Sequence, residues 1–175
     1  HHSEVGYVDS SSTKGSIIKV GKSASVTFEG HDENALAIIN AKSLTNEGTF
    51  IFKNQFYKIN TLSEAFDFNN SGTTTIDGAT ADNLKTTNLK NADNGILNIN
   101  TGTATQVEIK SIASTGGAIN AKKSNIKTSD VALSGNTIAE FGKLESSGTI
   151  EVGSATDGAA KVHIDYLVAG NIQAD

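Results

Sequence analysis

Two groups of side chains in this sequence carry the functional groups of acid–base or metal chemistry. One is the run His31-Asp32-Glu33-Asn34, and the other is His163 with Asp165. An imidazole beside a carboxylate can transfer a proton, and both groups can ligate zinc. Metal sites need three or four convergent ligands, and no second cluster accompanies the run at 31–34. We therefore predict a solvated turn there, and no catalytic, metal or cofactor site anywhere in the chain.

The His163 and Asp165 side chains occur in an alternating segment. Val162 and Ile164 are the apolar positions of this segment, so His163 and Asp165 are expected to project outward together. An exposed pair of this kind is more typical of polar side chains on the solvent-facing side of a strand than of an active site.

The composition argues against several classes of function. All 14 residues counted as Lys+Arg are lysines, and the formal net charge is −5, which disfavours a nucleic-acid partner. Without arginine, bidentate capture of phosphate or carboxylate is not expected. No cysteine is present, so disulfides and thiolate metal sites are excluded. No glycine-flanked serine elbow, phosphate loop or His-Glu-X-X-His motif occurs, and no apolar run predicts membrane insertion by this fragment.

A recurring segment organises the elements that position these side chains. In Leu44-Thr45-Asn46-Glu47-Gly48-Thr49-Phe50-Ile51-Phe52, an apolar residue precedes a glycine by four places, and apolar residues follow it at two and four places. Related segments surround Gly72, Gly95, Gly117, Gly148 and Gly170, at successive intervals of 24, 23, 22, 31 and 22 residues. Repetition at such a period is typical of a solenoid.

Each repeat is best interpreted as strand, turn and strand, because residues two apart on a strand share a face. Coils of about 22 residues fit three short parallel strands that stack on the coil before. The fold class predicted is therefore all-β, a parallel β-helix or closely related β-solenoid. The residues expected to form its inward ladder are Leu44, Phe50, Phe52, Ile76, Leu97, Ile99, Ile119, Ile150 and Val152.

Two regions are candidates for contact with a partner. The segment 53–68 is the most aromatic, and there Tyr57 could lie in an exposed patch that contacts glycan or protein. The alternative is that Phe56, Phe66 and Phe68 fill the interior while Tyr57 rests outside. The long interval before Gly148 is interpreted as a coil with an inserted loop or added strand at 127–143, or merely a longer bend. Its candidate partner-binding residues are Lys127, Ser134 and Asn136.

The domain organisation expected is one β-helix over residues 15–175. His1-His2-Ser3 is interpreted as a purification-tag remnant, and residues 1–14 as this remnant with a leader or cap. The sequence is interpreted as a fragment of a longer protein, although a complete small protein is the alternative.

The repeated pattern also resembles a known family. Asn46-Glu47-Gly48-Thr49, Asn70-Ser71-Gly72-Thr73 and Ser147-Gly148-Thr149-Ile150 resemble the passenger region of bacterial autotransporters and related adhesins, over about residues 15–175. The resemblance implies a right-handed parallel β-helix, export by a partner β-barrel and display at the cell surface. It brings no catalytic residues that match positions here.

The function expected is therefore that of a structural or adhesive, non-enzymatic segment of a secreted or outer-membrane-associated bacterial surface protein. Its partners would be host-cell or bacterial surface proteins or glycans, or further copies of the chain. One alternative is an S-layer or other self-assembling envelope protein. Another is a polysaccharide-degrading β-helix enzyme, which scattered acidic residues and the lack of arginine disfavour.

Overall fold

The chain forms an all-β solenoid without a helix in the part that the structure describes. That structure is a computed structural model, and it describes residues 2–4, 7–9, 15–59, 64–153 and 159–174. No helix among these residues is long and apolar enough to cross a membrane. The strands are His2–Glu4 (β1), Tyr7–Asp9 (β2), Ile17–Val20 (β3), Ser25–Phe28 (β4), Ala37–Asn40 (β5), Ser43–Asn46 (β6), Thr49–Lys53 (β7), Tyr57–Ile59 (β8), Phe66–Asn70 (β9), Thr73–Asp77 (β10), Leu84–Asn91 (β11), Ile96–Ile99 (β12), Val107–Ser114 (β13), Ala118–Thr128 (β14), Asp130–Leu133 (β15), Ile138–Val152 (β16) and Lys161–Ala174 (β17).

Strands from successive coils pair in parallel, so that each coil presents three faces. The solenoid has about six turns with a spacing of about 23 residues, which confirms the predicted fold class. The first face stacks β1, β4, β7, β10 and β12, followed by the leading parts of β14, β16 and β17. The second face stacks β3, β6 and β9, then parts of β11 and β13, then β15 and parts of β16 and β17. The third face begins with β2, β5 and β8.

The period-two pattern of the sequence puts like side chains over one another. Ile76 is in register with Phe52 on one side and with Ile99 on the other, so these three form one inward column. Of the predicted inward ladder, all residues except Val152 are buried, and Val152 is half-buried against the same core. The prediction that successive coils share one continuous interior is therefore confirmed.

Aromatic rings fill the interior of the first half of the solenoid. Phe28, Phe50, Phe52, Tyr57 and Phe68 are buried, with ring centroids 4.8 to 6.3 Å apart in contacting pairs. Such pairs contribute about 0.5–1.5 kcal/mol each beyond the burial of their surface. Towards the other end the core is largely aliphatic, since Leu97, Ile99 and Ile119 take the corresponding inward places.

A column of buried polar side chains holds the corner between the second and first faces. Asn46 Nδ2 donates to Asn70 Oδ1 at 3.0 Å, and Asn70 Nδ2 donates to Asn91 Oδ1 at the same distance. The column continues through Ser114 to Thr137, whose hydroxyl oxygens are 2.9 Å apart. These side chains also bond turn carbonyls, so the corner can be buried without unpaired backbone groups.

The predicted repeat register is wrong beyond Gly117. Gly48, Gly72, Gly95 and Gly117 all precede first-face strands, whereas Gly148 precedes the second-face part of β16. Ile150 is consequently paired with Val131 and Ile172, and is not stacked over Ile119. The interval of 31 residues between Gly117 and Gly148 therefore spans one full coil and continues to the next corner, the one that precedes the second face. The inserted loop or added strand predicted at 127–143 is therefore absent, since this segment belongs to the stacked strands β14, β15 and β16 and to the short turns between them.

The N-terminal segment predicted as a leader contributes to the stacks. His2–Glu4 pairs with β4 on the first face, and Tyr7–Asp9 pairs with β5 on the third. The remaining residues of 1–14, including the start of the expected tag remnant, lie outside the described residues.

Candidate functional site

The third face is interrupted halfway along the solenoid. In the described part of the chain, β8 pairs only with β5, and the coil that follows passes this face as residues 78–83 without a strand. The third-face stack resumes where Leu84 pairs with Ile109 and continues through β13 and β14. Where a coil lacks its strand, the surface is recessed.

This recess forms the largest cavity described, a groove of about 540 Å³. We call it the third-face groove. It spans three successive coils and is lined by Glu33, Leu36, Gln55, Phe56, Tyr57, Lys58, Ile59, Thr80, Asp82, Asn83, Lys85 and Thr86. Its volume lies within the range of small-ligand sites, about 300–1,000 Å³.

One wall of the groove is held by side-chain bonds from Asn83. Its Oδ1 accepts from Thr80 N at 2.7 Å, and its Nδ2 donates to Tyr57 O at 2.6 Å. The Asn83 side chain thereby donates the hydrogen bond to Tyr57 O that a neighbouring strand would otherwise donate. The loop 78–83 is fixed to the preceding coil as a result.

Tyr57 fixes the same loop from inside the solenoid. The side chain is fully buried, and its hydroxyl donates to Gly78 O at 2.9 Å. Burial raises the pKa of the Tyr57 hydroxyl well above its ordinary value, because the phenolate would lose its hydration. Gly78 has a φ of 104°, and a Cβ there would lie 2.8 Å from Asn54 O, so glycine suits this position.

A second set of bonds positions Phe56 at the groove surface. Asn54 has a φ of 56°, a conformation that asparagine tolerates better than most residues. Its Oδ1 accepts from Phe56 N at 2.7 Å, and its Nδ2 donates to Gly30 O at 3.2 Å. This turn leaves Phe56 half-buried while Tyr57 points into the core.

The charges of the groove balance. Glu33 and Asp82 are exposed carboxylates, and Lys58 and Lys85 are exposed ammonium groups. None of the four belongs to an ion pair within 4.0 Å among the residues that the structure describes. The groove therefore offers both donors and acceptors without a field that selects one sign of charge.

The predicted site residues lie in separate places. Tyr57 is buried, so the expectation that it rests outside or in an exposed patch is wrong; Phe56 takes the outer position instead. Lys127 is exposed on the third face between Glu108 and Glu145 of neighbouring coils. Ser134 and Asn136 lie in the turn before β16, where Ser134 N donates to Ser114 O at 2.9 Å. The structure does not bring these four residues together, and their roles in partner binding stay predictions.

The run His31-Asp32-Glu33-Asn34 and the pair His163 and Asp165 are surface features. At 31–34, His31 N donates to Ala35 O and Asp32 Oδ1 accepts from Asn34 N, which confirms the predicted turn and places Glu33 beside the groove. His163 and Asp165 project outward together as predicted, with 2.8 Å between Nε2 and Oδ1. Within the described ranges, no group of three or more His, Cys, Asp or Glu side chains could hold a metal ion.

Most residues of the groove were not predicted from the sequence. The signal that identifies them is a break in alternation after Asp77, where Gly78-Ala79-Thr80-Ala81-Asp82-Asn83 has turn residues in place of the apolar pairs of a third-face strand.

Comparison of this sequence and fold with known protein-family models, curated proteins and solved structures finds no match.

Proposed function

We propose that this chain is a structural and adhesive segment of a secreted or surface-displayed bacterial protein, without catalytic activity. The observation that carries the proposal is the continuous parallel stack of about six turns, which holds a preformed groove on its side. A rod of stacked coils presents its side faces and loops at fixed positions, which suits recognition at a surface. The likeness of its glycine-marked repeats to autotransporter passengers adds support.

An adhesion assay tests this proposal directly. Beads coated with the folded chain should bind bacterial or host epithelial cells in a saturable manner that free chain competes away. A matched control is the Phe52→Asp variant, which places a charge in the buried aromatic column and should abolish folding. If beads with folded and unfolded chain bind cells equally weakly, the adhesive function is wrong.

A self-assembling envelope protein is the second candidate, and β17 favours it. Its side chains Tyr166, Val168 and Ile172 are 62%, 46% and 61% exposed, and a contact between copies of the chain would cover them. Sedimentation over a concentration series, with and without calcium, distinguishes the candidates. Ordered assemblies that grow with concentration would support the envelope protein, whereas a monomer that binds cells would support the adhesin.

A further inference from the structure

We propose that the third-face groove binds a short, uncharged oligosaccharide. This inference rests on the proposed adhesive function and names the class of ligand for it. Three properties of the groove carry it: the balance of its polar groups, the hydrogen bonds that fix its walls, and a buried hydroxyl without a partner on one of its lining residues.

The polar groups of the groove suit many hydroxyl groups of no net charge. Glu33 and Asp82 can accept hydrogen bonds, Lys58 can donate, and the exposed Gln55 amide can do both. Phe56, also a lining residue, is half-buried and adds an apolar side chain to this set. A sugar ring has hydroxyl groups at its rim and C–H groups on its faces, and so matches both kinds of surface.

Other ligand classes fit less well. An anion such as a nucleotide or a sulfated chain would face two carboxylates that offset the two lysines, in a protein of formal net charge −5. An extended peptide would add to the edge of β8, but Asn83 Nδ2 already occupies Tyr57 O there. The polar side chains along the groove argue against an acyl chain.

The groove is formed in advance. Asn83, Tyr57 and Asn54 fix its walls through hydrogen bonds of 2.6 to 3.2 Å between successive coils. A ligand therefore loses little free energy to ordering the protein, which matters for sugars because their individual contacts are weak.

The unsatisfied hydroxyl belongs to Thr86. This residue lines the groove, and its Oγ1 is buried without a hydrogen-bond partner. It lies where β11 shifts register between Leu84 and Asn88, an irregularity of the kind that re-aims side chains. In the observed rotamer Oγ1 is inaccessible to a ligand, so the contact requires a rotation about χ1 that turns the hydroxyl towards the groove, where a ligand hydroxyl would satisfy a group that native proteins rarely leave unpaired.

The test is an array of neutral oligosaccharides (cellotriose, maltotriose, chitotriose and N-acetyllactosamine) printed with sialylated and sulfated glycans and extended peptides. The full chain should bind at least one neutral sugar, with affinity measured by calorimetry. Thr86→Val should weaken this binding by about two- to tenfold, the value of one hydrogen bond. Thr87→Val is the matched control, since the Thr87 hydroxyl is also unpaired but the side chain faces the core.

A second pair of variants tests the ring. Phe56→Ala should weaken sugar binding by about tenfold or more, whereas Ile51→Ala, at a half-buried position on the first face, should leave it unchanged. The proposal is overturned if no neutral sugar binds, if only charged glycans or peptides bind, or if both groove variants bind like wild type. Cell adhesion by coated beads is scored separately. If Phe56→Ala and Thr86→Val still adhere to cells, the adhesive function stands but the groove is not the site of adhesion. If the wild-type chain does not adhere, the adhesive function itself is contradicted.

Discussion

At the scale of single residues, the corner between the second and first faces depends on the hydrogen bonds of the buried asparagine column, Asn46, Asn70 and Asn91. The two hydrogens of Asn70 Nδ2 are shared among Gly72 O, Asn91 Oδ1 and Ile96 O, which lie 3.0 to 3.1 Å away, and Asn70 Oδ1 accepts from Thr74 Oγ1 at 2.7 Å. Asn70→Leu keeps the size of the side chain but removes these bonds. Each buried partner left unpaired costs about 1–3 kcal/mol, so we expect the variant to lose at least about 3 kcal/mol of unfolding free energy in urea.

The neighbouring Asn69 supplies the control for this prediction. Asn69 is only half-buried and makes no described hydrogen bond through its side chain, so Asn69→Leu should change the unfolding free energy by less than about 0.5 kcal/mol. Equal losses in the two variants would mean that the asparagine column does not stabilise the corner.

At Thr87 and Thr128, by contrast, removing a buried polar group is expected to stabilise the fold. Both are buried, at 1% and 2% exposure, and both hydroxyl oxygens lack a hydrogen-bond partner. Replacing either residue by valine exchanges an unsatisfied hydroxyl for a methyl group of similar size, which removes a desolvation penalty. Each variant should raise the unfolding free energy by about 1 kcal/mol. A loss of stability in thermal and urea unfolding would show that these hydroxyls do have partners, such as buried water.

At the scale of elements, Tyr57 connects β8 to the loop that bounds the groove. Tyr57→Phe removes the hydrogen bond to Gly78 O and should cost about 0.5–1.5 kcal/mol at pH 7. The folded state holds the phenolic proton more tightly than the unfolded state, whose pKa is the ordinary 10.0. Wild-type stability is therefore intact below pH 10 and falls as the pH rises above it, whereas the variant lacks this titration.

The stability difference between wild type and Tyr57→Phe should thus narrow between pH 9 and pH 11, measured by urea unfolding at each pH. Tyr166→Phe, at a tyrosine that is 62% exposed, should unfold like wild type throughout. A difference that stays constant with pH would contradict the buried environment of the Tyr57 hydroxyl.

The parallel stacking of elements could be predicted because it depends on a strong local signal. Gly48 and Gly72 stand at equivalent corners, and the apolar alternation on either side of each puts Phe52 and Ile76 in register. Burial of one face fixes the register of a strand, since a slip by one residue would expose every inward side chain. The same reasoning predicts the burial of Ile99 in the next coil.

The identity of each corner could not be predicted in the same way. All three corners of a coil join short strands, so a glycine with alternating residues after it fits more than one of them. Gly148 follows a third-face segment and precedes a second-face one, although its local pattern matches that of Gly48. The two corners are distinguished only by pairing with the coil before, where Leu144 pairs with Ile126 and Ile150 pairs with Val131.

The burial of Tyr57 in place of Phe56 has a local cause. Alternation alone does not reveal which of two adjacent aromatic residues points inward. The left-handed conformation of Asn54 resets the strand direction after β7, and its side chain fixes Phe56 N. The buried hydroxyl of Tyr57 is tolerated because Gly78 O accepts its proton, a partner 21 residues away.

At the scale of the whole molecule, stability is close to a sum over neighbouring coils, because each coil contacts only those beside it. A strand such as β12 is paired on both sides, with β10 and β14, whereas β17 is paired with β16 alone among the described strands. The amide groups of β12 should therefore require a larger opening of the solenoid to exchange than those of β17.

Hydrogen exchange followed by mass spectrometry tests this gradient and also separates the two proposed functions. In dilute solution, peptides from 161–174 should exchange faster than peptides from 96–99. For an adhesive monomer the protection of 161–174 should not depend on protein concentration. If the chain assembles through β17, its protection should rise with concentration, and Ile172→Lys should reverse the rise, because a buried lysine in such a contact would lose its hydration. Equal protection of the two segments at every concentration would contradict the coil-by-coil account of stability.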